Sequence, residues 1–253
     1  MPRPLRAQDA ETSVDVAKAE SVVRLVGSAA KVHAAAAAAL VAGGGGLVAL
    51  ALAGGDARVG VLLACAVACG VFYQAPPFRL SYRGLGEPLC FLAFGPLATS
   101  AFYLAARAAA GGAAGGAAVA VSPAAAAAAG LVGATTTAIL FCSHFHQRAT
   151  DEAAGKRSPI VRLGTARAAA ALSYAVALTH AAAAAAVGGG ALPVHAAAAL
   201  GLAMPAAKKL MEFVAETHDD PSRVFRAKFF AVRWHAALGM LLTIAFAVAR
   251  VVR

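Results

Sequence analysis

The sequence predicts an all-α, polytopic transmembrane helical bundle in one domain, and three observations carry that prediction. Of 253 residues, 60% are hydrophobic and only 13% charged, far from the roughly half-apolar, quarter-charged balance of soluble domains. The mean hydropathy is +0.72, and the few charges are clustered, so that long stretches carry none. A helix needs about 20 mostly apolar residues to cross a bilayer, and several stretches supply them.

Seven segments have the length and composition of spans: Ser28 to Ala53, Ala57 to Phe72, Pro88 to Ala106, Ala118 to Cys142, Thr165 to Val187, Ala191 to Met204 and Phe229 to Ala249. Asp56 is placed to cap the second, and Pro193 falls near the first turn of the sixth, where proline is tolerated. The Gly43 to Gly46 run predicts a kink or break in the first. Alanine runs such as Ala34 to Ala39, Ala124 to Ala129 and Ala181 to Ala186 read either as close-packing helix faces or as compositional bias.

Threading the chain through these spans brings the N-terminus, Gln74 to Glu87, Ser143 to Gly164 and Pro205 to Lys228 to one side. Of 22 Lys and Arg, only Arg58, Arg107, Arg250 and Arg253 lie opposite, which by the positive-inside rule makes the charged side cytoplasmic or stromal. The net charge of +10 therefore reports orientation, and no nucleic-acid partner is expected. Of 12 acidic residues only Asp56 faces the other way. Topology alone does not sort carboxylates, so their company with cations and histidines at one membrane face points to a site.

Cys65, Cys69, Cys90 and Cys142 form no C-x-x-C pair and read as small packing residues. Met1 to Gly27 contains Asp9, Glu11, Asp15 and Glu20 and has no apolar core of the kind a signal peptide needs.

Three groups carry the chemistry. The first is D-A-E-T-S-V-D, with Asp9, Glu11 and Asp15. The second is F-C-S-H-F-H-Q-R-A-T-D-E-A-A-G-K-R-S-P, in which Gln147 and Asp151 stand four apart and share one helical face. Two oxygen donors at that spacing reach one cation, and Mg²⁺ takes one or two carboxylates plus substrate phosphates. Lys156 and Arg157 follow, suited to diphosphate oxygens. The third, Y-Q-A-P-P-F-R-L-S-Y-R-G-L-G-E-P, joins a Pro76-Pro77 turn to Arg79, Tyr82, Arg83 and Glu87.

These strings, together with the later A-K-F-F-A-V-R-W-H-A-A-L-G, resemble the UbiA superfamily of intramembrane prenyltransferases. Within it they resemble the branch that prenylates 1,4-dihydroxy-2-naphthoate in plastids and cyanobacteria. The likeness runs from about Asp9 to the C-terminus. It implies nine helices, of which this chain supplies about seven, and two acidic motifs facing each other across a cavity with a prenyl diphosphate held through Mg²⁺. Aligned through E-S-V-V, Asp9 and Asp15 fall on later aspartates of the first motif, and Leu5 and Arg6 fall where Asn and Asp belong. The expectation is that the first helix and most of the second are missing and that residues 1–8 are unrelated sequence. Gln147 stands where much of the superfamily has Asp.

The resemblance thus implies a phytyl (or related polyprenyl) diphosphate and 1,4-dihydroxy-2-naphthoate as substrates, in phylloquinone or menaquinone biosynthesis. The setting it implies is a plastid membrane, or a cyanobacterial cell or thylakoid membrane, with membrane lipid around the bundle. Asp9, Asp15 and Asp151 are the expected catalytic metal ligands, with Gln147 a further ligand. Arg79, Arg83, Lys156 and Arg157 are expected to bind substrate, the diphosphate above all, and Tyr82, His144 and His146 to face the acceptor or shield the cation. The alternatives within the superfamily are a homogentisate prenyltransferase or a chlorophyll synthase; outside it, a transporter or non-catalytic lipid-binding protein, against which no inverted repeat is apparent. His33, His180, His195 and His235 are expected to bond between helices, and Asp219 and Asp220, before Pro221, to form a turn.

Overall fold

The computed structural model describes residues 26–52, 56–110 and 120–252, and these are helical throughout apart from short connections. Asp9 and Asp15, and the expectation for residues 1–8, lie outside the described residues. In chain order the elements are α1 (Ala29–Leu52), α2 (Ala57–Gln74), a 3₁₀ turn (Leu80–Arg83), α3 (Gly86–Ala109), α4 (Pro123–His146), α5 (Arg148–Ala153), α6 (Pro159–Leu163), α7 (Thr165–Gly188), α8 (Ala196–Thr217), α9 (Pro221–Val224) and α10 (Ala227–Val251). Among the described residues five stretches are long and apolar enough to cross a bilayer: α2, α3, α4, α7 and Pro221–Val251.

Capping explains where several helices start. The Asp56 carboxylate accepts from the Arg58 backbone N–H at 3.0 Å and from its guanidinium at 2.8 and 2.9 Å, as the sequence predicts for α2. That guanidinium holds the Asp56 carboxyl below the usual carboxylate range. Ser122 caps α4 by accepting from Ala125 N–H at 3.1 Å, with Pro123 in the first turn. Asp220 accepts from Ser222 and Arg223 N–H ahead of Pro221, the turn expected of that sequence.

α4 is the central post. On one side it meets α7 and α10, with α8 packed against both; on the other it meets α3, with α2 behind and α1 outermost against α2. Small residues allow the closest approach: a Cβ on Gly95 of α3 would lie 2.6 Å from the Ala129 carbonyl oxygen of α4, and one on Gly133 2.8 Å from that of Phe91. Near Gly95 the helix widens into a π-helical turn, Ala93–Thr99, around Pro96. Large apolar side chains elsewhere face outward, among them Tyr174 at 77% exposure and Leu178 at 70%. That outward apolar coat is what a bilayer requires and water would penalise.

Four expectations need correction. α1 runs through Gly43–Gly46 without a break. The sixth segment ends neither at Met204 nor begins at Ala191: its helix covers Ala196–Thr217, Pro193 precedes it, and Pro205 lies inside it. The continuation past Met204, expected as a loop, is held by Ala207, Leu210 and Val214, whose helical spacing buries them against Phe145, Leu172 and Trp234. Of the histidines, His235 bonds to Thr135 Oγ1 of α4 at 2.7 Å as expected, but His180 Nδ1 bonds to its own helix at Val176 O and reaches across only by stacking on Trp234. Cys142 is buried as expected, whereas Cys65 is exposed on the outer face of α2.

Candidate functional site

The two charged connections, residues 75–85 and 147–164, are bolted together at one end of the bundle. Arg157 N–H donates to the Tyr82 carbonyl at 2.9 Å. The Arg162 guanidinium donates to the carbonyls of Arg157 (3.0 Å) and Arg83 (2.5 Å). Gly84 makes this approach possible. Its φ is +72°, and a Cβ there would stand 2.6 Å from the Arg157 carbonyl oxygen. Gly86 does the same for the end of α2, since its Cβ would meet the Tyr73 ring at 2.9 Å. Below it, Ser81 donates to Gln74 Oε1 at 3.2 Å.

Between these connections lies a buried chain of ionisable groups. Glu87, in the first turn of α3, reaches His144 Nδ1 at 2.9 Å. His144, at the end of α4 and 2% exposed, faces Lys156 Nζ through Nε2 at 3.3 Å. Lys156 in turn pairs with Asp151 Oδ1 at 3.1 Å. Local backbone bonds set Asp151 and Lys156 beside each other: Asp151 N–H donates to Gln147 O, and Lys156 N–H returns to Asp151 O, both at 2.8 Å, with Gly155 at φ +69° closing the turn. Asp151 Oδ2 and Glu87 Oε2 are buried and have no hydrogen-bond partner. Two such oxygens, each carrying part of a negative charge, are costly unless something positive faces them.

An apolar cavity of about 850 Å³ opens beside this chain. α1 contributes Leu40, Gly43 and Gly44, α2 contributes Val67, Gly70 and Tyr73, and α3 contributes Cys90 and Phe94. Gly43 and Gly44 therefore thin a wall where a break was expected. Tyr73 joins cavity to charge, because it lines the one and its ring packs against Gly86, the neighbour of Glu87.

Of the residues singled out in the sequence, Asp151, His144 and Lys156 come together in this chain. Gln147 sits at the α4–α5 joint, where its carbonyl accepts from Asp151 and from Thr150 Oγ1. Arg79 is exposed, with φ +42° and its guanidinium 4.5 Å from the Tyr82 ring centroid, so that ring's face is already occupied by a cation. Arg83 and Arg157 are exposed at the same end, and His146 is fully buried in α4. Among the described residues no three His, Cys, Asp or Glu side chains gather closely enough to hold a metal ion by themselves.

Glu87 stood in the third charged group without an assigned role, and Tyr73 was not singled out. Glu87 had a signal, an acidic residue at the threshold of an apolar span; Tyr73, an aromatic at the end of another, had none.

The model of the UbiA prenyltransferase family matches residues 14–249. Over 242 residues the chain is 43% identical to "2-carboxy-1,4-naphthoquinone phytyltransferase, chloroplastic" of Arabidopsis thaliana, covering 96% of this chain and 62% of that protein. Over 234 residues it is 37% identical to "2-carboxy-1,4-naphthoquinone phytyltransferase" of Synechocystis sp., covering 92% of this chain and 72% of that protein. The chain thus spans less than two thirds of the length of the plant relative. No solved structure matches it.

Proposed function

The chain belongs to the UbiA prenyltransferase family, and from that premise we propose that it moves a phytyl or related polyprenyl group from its diphosphate onto 1,4-dihydroxy-2-naphthoate. The observation that carries the reading is the juxtaposition of a buried carboxylate–ammonium pair, Asp151 and Lys156, linked through His144 to Glu87, with an apolar cavity whose lining residue Tyr73 packs against the neighbouring Gly86. A prenyl diphosphate is built the same way, a greasy chain ending in concentrated negative charge. The two relatives named for phytyl transfer support the choice of donor and acceptor.

In this reading the prenyl chain lies among Leu40, Val67, Gly70 and Phe94, and its diphosphate sits at the charged end within reach of Lys156 and Arg157. Arg79, Arg83 and Tyr82 form the outer rim over which substrates enter. The carbon–oxygen bond to diphosphate breaks with its electron pair leaving on oxygen, and the naphthoate ring carbon supplies the pair for the new carbon–carbon bond. The carboxylate departs as CO₂, returning its pair to the ring. Fixed positive groups aimed at the leaving group lower this barrier more than proton transfer does, and the apolar walls keep water from the cationic chain.

The donor set fits Mg²⁺: Asp151 has an unpartnered buried oxygen, and Asp9 and Asp15 are assigned to complete the site with Gln147. When bound, the metal supplies Lewis-acid neutralisation of the diphosphate. Phylloquinone or menaquinone synthesis in a plastid or cyanobacterial membrane, with the charged end stromal or cytoplasmic, is the setting that follows.

The test is reconstitution of the chain in lipid nanodiscs with Mg²⁺, phytyl diphosphate and dihydroxynaphthoate, with homogentisate as a competing acceptor. The expected result is a decarboxylated phytyl-naphthoquinol, or the quinone it gives on oxidation by air, detected by mass spectrometry. Transfer to homogentisate alone, or no product where the Arabidopsis relative forms one, overturns the proposal.

A further inference from the structure

Glu87 is a buried ionisable group at this end that the reaction outlined above leaves without a task. Its residue is 9% exposed, and its carboxylate meets no cation directly; it meets His144 at 2.9 Å. Lysine has three donors and no acceptor, so His144 Nε2, facing Lys156 Nζ at 3.3 Å, must be the accepting nitrogen. The ring proton then sits on Nδ1 and is donated to Glu87. A carboxylate on one imidazole nitrogen fixes which tautomer the other presents.

We infer that Glu87 is a positioning residue for Lys156: through His144 it holds the ammonium beside Asp151, where the diphosphate is to be received. Lys156 sits on the turn after α5 and has a flexible four-carbon stem. Two opposed anchors, Asp151 Oδ1 at 3.1 Å and His144 Nε2, confine that stem to one place. Without the Glu87 carboxylate the imidazole is free to take the other tautomer, its Nε2–H pointing at Lys156. Donor would face donor, and Lys156 would leave. The cost falls on diphosphate recognition, because preorganisation of the cation is what Glu87 supplies. The inference rests on the proposed function for the identity of the ligand.

The experiment measures binding of inorganic pyrophosphate with Mg²⁺ to the purified chain, alongside thermal unfolding of each variant. Glu87→Gln is expected to weaken pyrophosphate about tenfold, in line with loss of one hydrogen bond to a charged group. His144→Gln should weaken it equally, and the pair together should do no more than either alone. In a Lys156→Gln background Glu87→Gln should have no effect. In turnover the KM for the prenyl diphosphate should rise while that for the acceptor stays unchanged.

Additive losses from Glu87→Gln and His144→Gln, or an equal loss with Lys156 already removed, overturn the inference and assign Glu87 to general folding. Wild-type pyrophosphate affinity in Glu87→Gln overturns it as well. If the unmutated chain does not bind pyrophosphate, the proposed function falls, and this inference with it.

Discussion

Removing either half of the Asp151–Lys156 pair is expected to have unequal consequences. The two groups stand 3.1 Å apart with side chains 9% and 13% exposed. At an effective dielectric near 20 that separation represents roughly 5 kcal/mol of gross attraction, much of it offset by desolvation. Lys156→Gln leaves the Asp151 carboxylate buried, its Oδ2 already without a partner. Stranding a buried charge in this way costs about 3–5 kcal/mol. Asp151→Asn keeps an amide oxygen for the ammonium, which also retains His144 Nε2, so the loss is confined to the charge-assisted part, about 1–2 kcal/mol. The double variant carries no stranded carboxylate at Asp151 and should be more stable than Lys156→Gln alone.

Unfolding in micelles can follow Trp234, the chain's one tryptophan, which is 1% exposed in the same core as Phe145. Phytyl transfer should fall about 100-fold or more in Asp151→Asn, the scale for losing one preorganised electrostatic group. Equal stability of the two single variants, or strict additivity in the double, would refute the pairing argument; wild-type turnover in Asp151→Asn would refute its place in the reaction.

Three further outcomes are expected. Gly84→Ala puts a Cβ at φ +72° and 2.6 Å from the Arg157 carbonyl oxygen, so it should cost about 2 kcal/mol or more and reduce transfer by parting the two charged connections, checked by unfolding and turnover together. Gly70→Phe places a ring in the apolar cavity from a position with nothing within 4 Å; transfer from phytyl diphosphate should drop roughly tenfold while dimethylallyl diphosphate is spared, measured by competition between the two donors. Arg58 holds the Asp56 carboxyl below its unfolded value, so the cap's contribution is complete above about pH 4 and is lost as pH falls through the folded value. Amide exchange in the first turn of α2, corrected for intrinsic rates, should quicken on acidification, and Asp56→Asn should abolish that pH dependence.

Helix positions were legible wherever local chemistry decides them. Asp56 before Ala57 marks a helix start through bonds made within two residues, and Asp220 before Pro221 makes the turn expected of it; Ser122 before Pro123 carries the same kind of signal, yet the fourth span was expected from Ala118 and its helix starts at Pro123. Boundaries failed where packing overrides local signals. Pro205 and the charges from Lys208 to Glu216 argue for a loop, yet Ala207, Leu210 and Val214 find a core and the helix continues. Gly43 to Gly46 argue for a break, and the helix passes through them.

Composition and charge placement determined by themselves that this is a membrane helical bundle, because hydrophobic burial in a bilayer depends on what each segment contains. The site's acid–base pairs did not follow from that. Gln147 and Asp151, four apart, share a helical face, and Asp151 and Lys156 are brought together by the local turn at Gly155. Glu87 meets His144 across 57 positions, and Arg162 reaches Arg83 across 79. Only the docking of α3 against α4, permitted by Gly95 and Gly133, and the close approach of the two charged connections at Gly84 place those groups together, since a hydrogen bond needs its two atoms within about 3 Å and no local rule sets a distance between distant segments.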